Sequence, residues 1–386
     1  MSRPLRVAFL TTDNREHFRD YAKPKPFFGT APEAMLHGFA QLREIEVHVI
    51  SCVRQPVQSP EKLADNVWYH ALEVSKIGWM TTGYQGCIRA VRRKLRDVQP
   101  DIVHGQGTER DCAIGAVMSG YPNVLTIHGN MAELARLFRA RPFTYGWINA
   151  WLEEFTLPRT GGVFCNSAYT EELVRPRARR TWRVANPLRP EFFRPSTNPP
   201  QDSVPRIVNI GLVCPRKRQL EILDLAGRLH ASGIRVVFEF VGGCPDDDYA
   251  RRFRERLADA EQAGFARWCG ELSADELVSQ IDRSAALLHF PSEEAFGLVV
   301  AEGLARNLKF FGARLGGIVD IASGLDGAEL FDSNDWDALA AGISRWVEAG
   351  APKPAGAAGV METRYHPRVI AQRHLEIYRE VLASDS

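Results

Sequence analysis

Two kinds of pattern alternate along the chain: short runs of apolar and β-branched residues, and longer stretches whose apolar residues recur at helical spacing. The short runs are typical of strands buried on both faces, and the alternation favours a parallel sheet covered by helices. In the first half, it predicts strands at 5–11, 47–52, 101–104, 124–128 and 163–166, and helices that include 31–42 and 86–98.

A proline-rich stretch interrupts this pattern in the middle of the chain. Six prolines fall between residues 186 and 205, which suits neither a helix nor a central strand and favours an interdomain linker. The alternation then restarts, with predicted strands at 206–211, 236–241, 285–290 and 308–311, helices at 219–230, 249–263 and 296–306, and a final amphipathic helix at 367–382.

The repeated pattern predicts an α/β protein with two Rossmann-like, doubly wound domains that face each other across a cleft. Residues 1–187 form the first domain, 188–205 the linker and 206–366 the second domain, and a helix at 367–386 is expected to pack back on the first. A ligand site is expected in the cleft, because loops at the carboxyl ends of parallel strands bind ligands.

Composition excludes several classes of protein. The 48 lysines and arginines balance 47 aspartates and glutamates, which argues against a protein that binds nucleic acid. Seven cysteines are scattered without a CxxC pair, so neither a disulfide framework nor a zinc site is expected.

The N-terminal residues lack the apolar region of a signal peptide, and no run approaches the ~20 apolar residues that span a bilayer. A cytoplasmic location is expected, with peripheral contact at the inner face of the membrane and the oligomeric state left open.

The segment PSEEAFGLVVAEGLA, residues 291–305, carries the strongest chemical signal. It follows a predicted strand and enters a helix that is apolar nearly all round, and therefore buried. Glu302 lies inside this helix, where a carboxylate needs polar partners such as the paired hydroxyls of a ribose. Glu294 precedes the helix, whose first amides can bind an anion or sugar oxygens. Two ordinary helix-end glutamates are the alternative interpretation.

In this segment the chain resembles the retaining glycosyltransferases of the GT-B fold, especially family 4, because seven residues separate Glu294 from Glu302. Further motifs fall in the family's order: DIVHGQG at 101–107, TIHG at 126–129, NSAYTEELV at 166–174, VANPLRPEFF at 184–193, NIGLVCPRK at 209–217, GG at 242–243, Gly270, and GG at 316–317. The resemblance implies that the second domain binds a nucleotide sugar, that the first binds the acceptor, and that closure brings them together.

The resemblance also implies roles for the matching residues of the second domain. Glu302 is expected to hold the ribose hydroxyls, and Glu294 the transferring sugar. Arg216 and Lys217 are expected to neutralise the pyrophosphate as the sugar–phosphate bond breaks. They follow a glycine in a predicted strand-to-helix loop, which supports that role, and a solvated surface pair is the alternative. The remaining donor-binding positions are Gly211, Gly243, Gly270, Phe296, Gly297 and Leu298.

In the first domain, the resemblance places His128 near the reacting sugar. His128 ends a predicted strand and precedes Gly129, which lets a ligand approach closely. A histidine satisfied within the core is the alternative. Gly29 and Thr30 follow the first strand, where the family has a glycine-rich loop for acceptor and phosphate, and a plain loop is the alternative.

The implied reaction moves a sugar with retention from a nucleotide sugar, UDP- or GDP-linked, to a glycan, lipid-linked or small-molecule acceptor. Front-face displacement, in which the leaving phosphate takes the acceptor proton, is the family's proposed mechanism, and it needs no metal or other cofactor. The aspartates at 246–248 resemble a metal-binding DxD motif, but they open a predicted helix, where aspartate serves as N-cap. The first strand lacks a following GxGxxG, which disfavours a nicotinamide dehydrogenase.

Two other functions stay open. One is another GT-B enzyme, such as a sugar-nucleotide epimerase or a phosphorylase, although no pyridoxal-bearing lysine site is evident. The other is a catalytically silent module that binds a nucleotide sugar. Departures from the family pattern keep these alternatives open: Leu212 replaces an arginine, Arg218 replaces a glycine, and residues 303–310 lose a glycine and a proline.

One helix has an unusually basic face. Arg89, Arg92, Arg93 and Arg96 lie together on the helix predicted at 86–98. Either this face is merely solvated, or it contacts an anionic acceptor or an acidic membrane surface.

Overall fold

The computed structural model describes residues 3–196 and 204–384. The chain divides into two compact units. Unit 1 consists of two segments, one that ends at Arg189 and one that begins at His366. Unit 2 is Pro190–Tyr365. The predicted linker at 188–205 therefore splits, because its residues 190–194 belong to unit 2, and its residues 197–203 lie outside the described part.

Unit 1 is an eight-stranded sheet with helices on both faces. Its strands are β1 (Leu5–Leu10), β2 (Ile45–Val53), β3 (Lys62–Ala64), β4 (Val67–Glu73), β5 (Ile102–Gln106), β6 (Asn123–Ile127), β7 (Val163–Cys165) and β8 (Thr181–Arg183). Its first helices are α1 (Asn14–Phe18), α2 (Thr30–Phe39), α3 (Gln85–Val98), α4 (Asp111–Val117), α5 (Met131–Leu137), α6 (Tyr145–Thr156) and α7 (Ala168–Val174). The strand order is β3-β4-β2-β1-β5-β6-β7-β8, parallel except for the β3/β4 pair.

Unit 2 has a six-stranded parallel sheet in the middle of its helices. The strands are β9 (Arg206–Ile210), β10 (Val237–Val241), β11 (Ala266–Trp268), β12 (Ala286–His289), β13 (Lys309–Ala313) and β14 (Ala328–Phe331), in the order β11-β10-β9-β12-β13-β14. The helices are α8 (Gln219–Ala231), α9 (Asp248–Gln262), α10 (Ala274–Asp282), α11 (Leu298–Ala305), α12 (Gly316–Ala322), α13 (Trp336–Glu348) and α14 (Ala357–Tyr365).

The prediction of two Rossmann-like units is confirmed, because both sheets share one doubly wound order around a central strand. The order reverses between β1 and β5 in unit 1, and between β9 and β12 in unit 2. Ligands bind at such switch points, outside the carboxyl ends of the strands. The strands that the sequence pattern missed are β3, β4, β8, β11 and β14, which lie at the sheet edges or, for β4, beside one.

The C-terminal helix α15 (Pro367–Ser384) packs on α2 of unit 1 and contributes to the same core. At the crossing of the two helices, a Cβ on Gly38 would lie 2.2 Å from the carbonyl oxygen of Pro367, so only glycine fits. Tyr378 reaches into the sheet, where its hydroxyl lies 2.5 Å from Nδ1 of the buried His104.

The segment at the start of unit 2 is held by a buried ion pair. The guanidinium of Arg306 donates twice to the carboxylate of Asp282, at 2.7 Å for each bond, and both side chains are almost fully buried. Arg306 also donates to the carbonyl oxygens of Phe192 and Arg194. This arginine therefore attaches residues 190–194 to the body of unit 2.

Glycine turns join the carboxyl ends of β9, β10 and β11. The amide of Gly211 donates to the carbonyl oxygen of Val241, and the amide of Gly242 donates to the carbonyl oxygen of Gly270, both at 2.8 Å. Gly242 has a φ of 135°, and a Cβ there would lie 2.3 Å from the carbonyl oxygen of Gly211. These turns can therefore stack only where side chains are missing.

Gly242→Ala is expected to destabilise unit 2 by about 3 kcal/mol, because the new methyl group meets strain in the backbone and a fixed carbonyl oxygen. Gly233→Ala is the matched control: its φ of 78° is also positive, but its Cβ would meet nothing within 4 Å. The control is expected to lose only about 1–2 kcal/mol. Urea unfolding followed by circular dichroism measures both, and equal losses would contradict the predicted clash.

Candidate functional site

Charged side chains converge at the switch point of unit 2. The loop after β9 contributes Arg216 and Lys217, and the loop after β12 contributes Glu294. Nζ of Lys217 donates to Oε2 of Glu294 at 2.5 Å, and Nη1 of Arg216 lies 4.0 Å from the same oxygen. His289, the last residue of β12, places Nε2 2.8 Å from it. Three of the predicted residues thus meet, together with a histidine that the sequence interpretation did not single out.

Burial and charge act in opposite directions on Glu294. Burial alone would raise the pKa of its carboxyl group, but Lys217 and the hydrogen bond from His289 outweigh burial and hold the pKa well below its ordinary value. Burial, followed by repulsion from Lys217, lowers the pKa of His289 to about 4. At neutral pH the carboxylate is therefore ionised and the imidazole neutral, so Nε2 carries the proton that it shares with Glu294.

The loop that carries Glu294 is fixed by its backbone. The amide of Gly317, at the start of α12, donates to the carbonyl oxygen of Glu294 at 3.1 Å. A Cβ on Gly317 would lie 2.5 Å from the carbonyl oxygen of Ala295, so α12 can approach only through glycine. From the other side, Nη1 of Arg216 donates to the carbonyl oxygen of Glu293 at 3.1 Å.

Helix α11 begins at Leu298, two residues later than the predicted 296, because Gly297 has a φ of 98° and ends the loop. In the described part of the chain, the amides of Leu298 and Val299 donate to no acceptor, so they are open to an anion or a sugar oxygen. Glu302 lies on the buried face of the helix. The ring of Phe296 is buried against Tyr365, so only its backbone can serve a ligand.

A cavity of about 450 Å³ opens beside the glycine turns of unit 2. Trp268 lines it, and its indole Nε1 donates to the carbonyl oxygen of Gly242 at 3.0 Å. Next to it, Gly270 has a φ of 76° and open space around its Cβ position. Gly243 faces Leu212, whose Cδ1 would lie 3.2 Å from a Cβ there. Trp268 was not predicted as a site residue, and its position just before Gly270 was the available signal.

In unit 1, His128 follows β6 directly, at the carboxyl edge of the sheet. Its Nε2 lies 3.0 Å from Oε1 of Gln106, the last residue of β5. Burial lowers the pKa of His128 to about 4, and a contact with Asn186 opposes this only weakly, so the ring is neutral at physiological pH.

Two buried asparagines near His128 also escaped the sequence interpretation. Asn130 and Asn166 follow β6 and β7 at the same sheet edge. Among the described residues, Oδ1 of Asn130 and both polar side-chain atoms of Asn166 have no hydrogen-bond partner. Buried polar groups are normally paired, so this edge is suited to hydroxyl groups of a ligand. Glu109, after β5, has a pKa raised chiefly by burial.

Gly29 ends the loop between α1 and α2, and Thr30 is the first residue of α2. Gly29 has a φ of −61°, which any residue adopts, and a Cβ there would make only an ordinary contact with Pro32. The backbone therefore gives no reason for glycine at this position, and its predicted role in an acceptor loop stays a prediction.

The four arginines of the predicted basic face are exposed on α3, opposite a buried apolar stripe. Among the described residues, only Cys52, Cys87 and Asp111 are close enough to share a metal ion, in the core of unit 1. A hydrogen bond to Cys87, and then burial, raise the pKa of the Cys52 thiol, which disfavours the thiolate that a metal needs.

The chain matches two family profiles that follow one another. Residues 33–189 match Glycosyltransferase Family 4, and residues 191–356 match Glycosyl transferases group 1. Together they cover most of both units. The chain is a glycosyltransferase of the family 4 type. A search of curated proteins found no match.

Solved GT-B structures share the fold of this glycosyltransferase. Sucrose-phosphate synthase from Thermosynechococcus elongatus superposes with a TM-score of 0.74 at 15% identity, covering 98% of this chain and 100% of that one. Alr3699/HepE from Anabaena, in complex with UDP and glucose, gives 0.71 at 14% identity, with 97% and 99% covered. The lipopolysaccharide outer core galactosyltransferase WaaB gives 0.68 at 15% identity, with 97% and 100% covered. Within the described residues, no helix combines the length and apolar character needed to cross a bilayer.

The departures of this glycosyltransferase from the family pattern have structural reasons. Arg218 has a φ of 57°, the left-handed conformation that glycine usually adopts, and its guanidinium is anchored on Ser333 and Asn334. Asn307 likewise has a φ of 54°, and its Oδ1 accepts a hydrogen bond from the amide of Ala358 at 2.9 Å. Leu212, by contrast, is 55% exposed, and nothing in the structure explains it.

Lys217→Met is expected to cost about 3 kcal/mol of stability at neutral pH, because it leaves a nearly buried carboxylate without its closest cation. The pKa of Glu294 in the folded state lies below the ordinary 4.5. The ionised carboxylate therefore stabilises the folded state fully at pH values above 4.5, and this stabilisation is lost as the pH falls below 4.5 towards the pKa of the folded state. The difference in the free energy of unfolding between wild type and Lys217→Met, measured by urea unfolding, should then be smaller at about pH 4 than at neutral pH.

Arg228→Met is the matched control in the same unit. It breaks the exposed ion pair with Asp337, whose atoms lie 2.7 Å apart. The expected loss is under about 1 kcal/mol at either pH. If Lys217→Met loses the same free energy of unfolding at both pH values, the loss does not come from the charge of Glu294, and the prediction is wrong.

Proposed function

We propose that this glycosyltransferase moves a sugar, with retention, from a UDP- or GDP-linked donor bound by unit 2 to a glycan or lipid-linked acceptor bound by unit 1. One observation carries the proposal: the ionised, nearly buried Glu294 lies with Lys217 and Arg216 at a switch point, directly before a helix with open amides. Such a site offers positive groups to phosphates and a carboxylate to sugar hydroxyls.

The basic pair supports a role at the pyrophosphate. Lys217 now neutralises Glu294, and Arg216 holds the loop after β12, so both lie within a few ångströms of the carboxylate. An incoming pyrophosphate would compete for both cations and free Glu294 for the sugar. As the sugar–phosphate bond breaks, negative charge grows on the phosphate, and two fixed cations stabilise it. Because the chain supplies these charges, the proposal needs no metal ion or other cofactor.

The nucleoside is proposed to lie between α11 and the glycine turns. Glu302 is buried on a helix that is otherwise apolar, and a ribose offers the paired hydroxyls that suit its carboxylate. The cavity beside Trp268, which β11 and α10 line, adjoins the glycine turns and offers an aromatic ring to a base. The fold neighbour HepE from Anabaena has been solved with UDP and with UDP-glucose, which supports a uridine nucleotide as the first donor to test.

The acceptor is proposed to bind at the carboxyl edge of unit 1. His128 is neutral and can donate or accept a hydrogen bond at a sugar hydroxyl. Asn130 and Asn166 add buried amide groups that suit further hydroxyls. Front-face displacement assigns the acceptor proton to the leaving phosphate, so no carboxylate base is needed. A cytoplasmic location, with peripheral contact at an anionic membrane surface, belongs to the same proposal.

Separate roles for the two glutamates give the direct test. UDP and GDP are expected to raise the melting temperature of wild type, and Glu302→Gln to weaken nucleotide binding about tenfold or more, since a buried hydrogen bond to a charged group is lost. Glu294→Gln is expected to keep nucleotide affinity within about threefold but lower turnover about 100-fold, measured as donor hydrolysis and transfer.

Glu348→Gln serves as control, because Glu348 is an exposed carboxylate of the same unit. It is expected to behave as wild type. If UDP, GDP and ADP and their sugars all fail to stabilise wild type, the donor site is excluded. Nucleotide binding without hydrolysis or transfer would instead favour the catalytically silent module.

His128→Ala is expected to lower transfer about 100-fold while nucleotide affinity stays unchanged, because the proposed contact is with the reacting sugar and not with the nucleotide. His37→Ala is the matched control, since His37 is exposed on α2 of the same unit. Calorimetry with UDP and a transfer assay separate the two effects. Full activity of His128→Ala would remove this residue from the site.

A further inference from the structure

Unit 1 exposes an unusual number of large apolar side chains on α5, α6 and the loop between them. We call this surface the aromatic patch. It consists of Leu137, Phe138, Phe143, Tyr145, Trp147 and Trp151, every one of them exposed. Phe143 is 83% exposed and Trp151 46%. Isolated apolar residues on a surface need no explanation, but a contiguous cluster marks an interaction site.

The aromatic side chains on and just before α6 follow a regular spacing. Trp147, Trp151 and Phe155 are four residues apart on α6, so they form one stripe along the helix, and Phe143, in the preceding loop, extends it. The rings of Phe143 and Trp147 lie 5.4 Å apart, and so do those of Trp151 and Phe155. Arg159 continues the spacing, with its guanidinium 4.0 Å from the ring of Phe155. The stripe is therefore an ordered surface that ends in a cation.

The loop between the helices holds its aromatic ring outward at a conformational cost. Phe143 has a φ of 64°, and Arg139 has a φ of 49°. Left-handed backbone is unfavourable for residues with a Cβ, and for a bulky ring it is a marked outlier. Backbone strain of this kind concentrates where it serves a function. The ring of Phe143 meets only another exposed ring, that of Trp147, and stays 83% exposed, so packing within unit 1 does little to offset this strain.

The charges around the patch that lack an ion-pair partner among the described residues are positive. Four arginines and two glutamates occur between residues 136 and 159. Both glutamates, Glu153 and Glu154, pair with Arg177. In contrast, Arg139, Arg141 and Arg159 are exposed and form no ion pair within the part of the chain that the structure describes. The solvent face thus combines aromatic rings with unneutralised guanidinium groups.

The patch is attached rigidly to the segment that carries His128. Oε2 of Glu153, on the buried side of α6, accepts a hydrogen bond from the amide of Met131 at 2.7 Å. Met131 is the first residue of α5 and lies three positions after His128. A ligand held at the patch is therefore fixed relative to this sheet edge.

From these observations we infer that the aromatic patch docks unit 1 onto an anionic lipid bilayer. Tryptophan, tyrosine and phenylalanine suit the boundary between headgroups and acyl chains, and unpaired arginines attract anionic lipids. This surface fits a bilayer better than the basic face of α3, which presents arginines without a large exposed apolar side chain. Docking itself does not depend on the proposed function. The further step, in which docking brings a lipid-linked acceptor to His128, rests on the proposed function.

Sedimentation of the full chain with vesicles tests the inference. Wild type is expected to bind vesicles of phosphatidylcholine that contain phosphatidylglycerol, and to bind pure phosphatidylcholine at least about tenfold more weakly. Phe143→Ser/Trp147→Ser is expected to lose about tenfold or more in affinity, since the apolar anchors are removed. Arg139→Gln/Arg141→Gln is expected to lose about tenfold, and salt should weaken the binding of wild type.

Arg92→Gln/Arg93→Gln on α3 is the matched control, because it removes the same charge from another exposed helix of unit 1. Its vesicle affinity should stay within about twofold of wild type. Unchanged melting temperature and UDP response in each variant show that the fold and the donor site are intact, so a failure of docking is distinct from a failure of the proposed function.

Three results would overturn the inference. The first is that vesicles with phosphatidylglycerol do not bind wild type. The second is that the α3 control accounts for the loss of binding. The third is that the chain is a dimer without lipid, and that Phe143→Ser/Trp147→Ser converts it to a monomer while vesicle binding is unchanged, since the patch would then cover a second copy of the chain.

Discussion

The charge of Glu294 is the constraint around which the candidate site of unit 2 is arranged. A nearly buried carboxylate is unstable without a cation. Lys217, in the loop after the neighbouring strand β9, supplies one at 2.5 Å. The pairing also requires that the loops after β9 and β12 meet, which the doubly wound strand order ensures. The contact therefore satisfies the carboxylate, and under the proposed function it also holds the cation and the carboxylate where phosphate and sugar would bind.

Two left-handed positions in unit 2 show how the fold keeps its shape when family glycines are replaced. Arg218 and Asn307 both adopt positive φ, which costs a residue with a Cβ on the order of 1 kcal/mol. Each has a side-chain hydrogen bond that offsets the cost, from Arg218 to Asn334 and from Ala358 to Asn307. The altered sequence therefore preserves the conformation of the loops, and these departures do not by themselves indicate a lost activity.

The fold could be predicted because central parallel strands are buried on both faces and stand out as apolar runs. The edge strands could not: β14 is half buried throughout, and β3, β8 and β11 have only three residues each. Glu294, Lys217 and Arg216 were recognisable as a motif, whereas His289 was hidden inside an apolar run. Only the register of β12 shows that His289 is its last residue and faces the carboxylate.

The aromatic patch could not be predicted for another reason: the spacing of its apolar residues predicts that they are buried, whereas the structure exposes them. Apolar residues spaced by four along a helix ordinarily indicate the side that packs on a core. In α6 that spacing belongs to the solvent side, and the buried side holds Asn149, Glu153 and Thr156 beside Leu152. Polar residues can face inward here because Glu153 binds the first amide of α5 and pairs with Arg177. Once these partners satisfy the buried carboxylate, the core needs little of the aromatic side of α6: Phe155 packs against it, whereas Trp147 and Trp151 stay exposed, as the proposed docking surface requires.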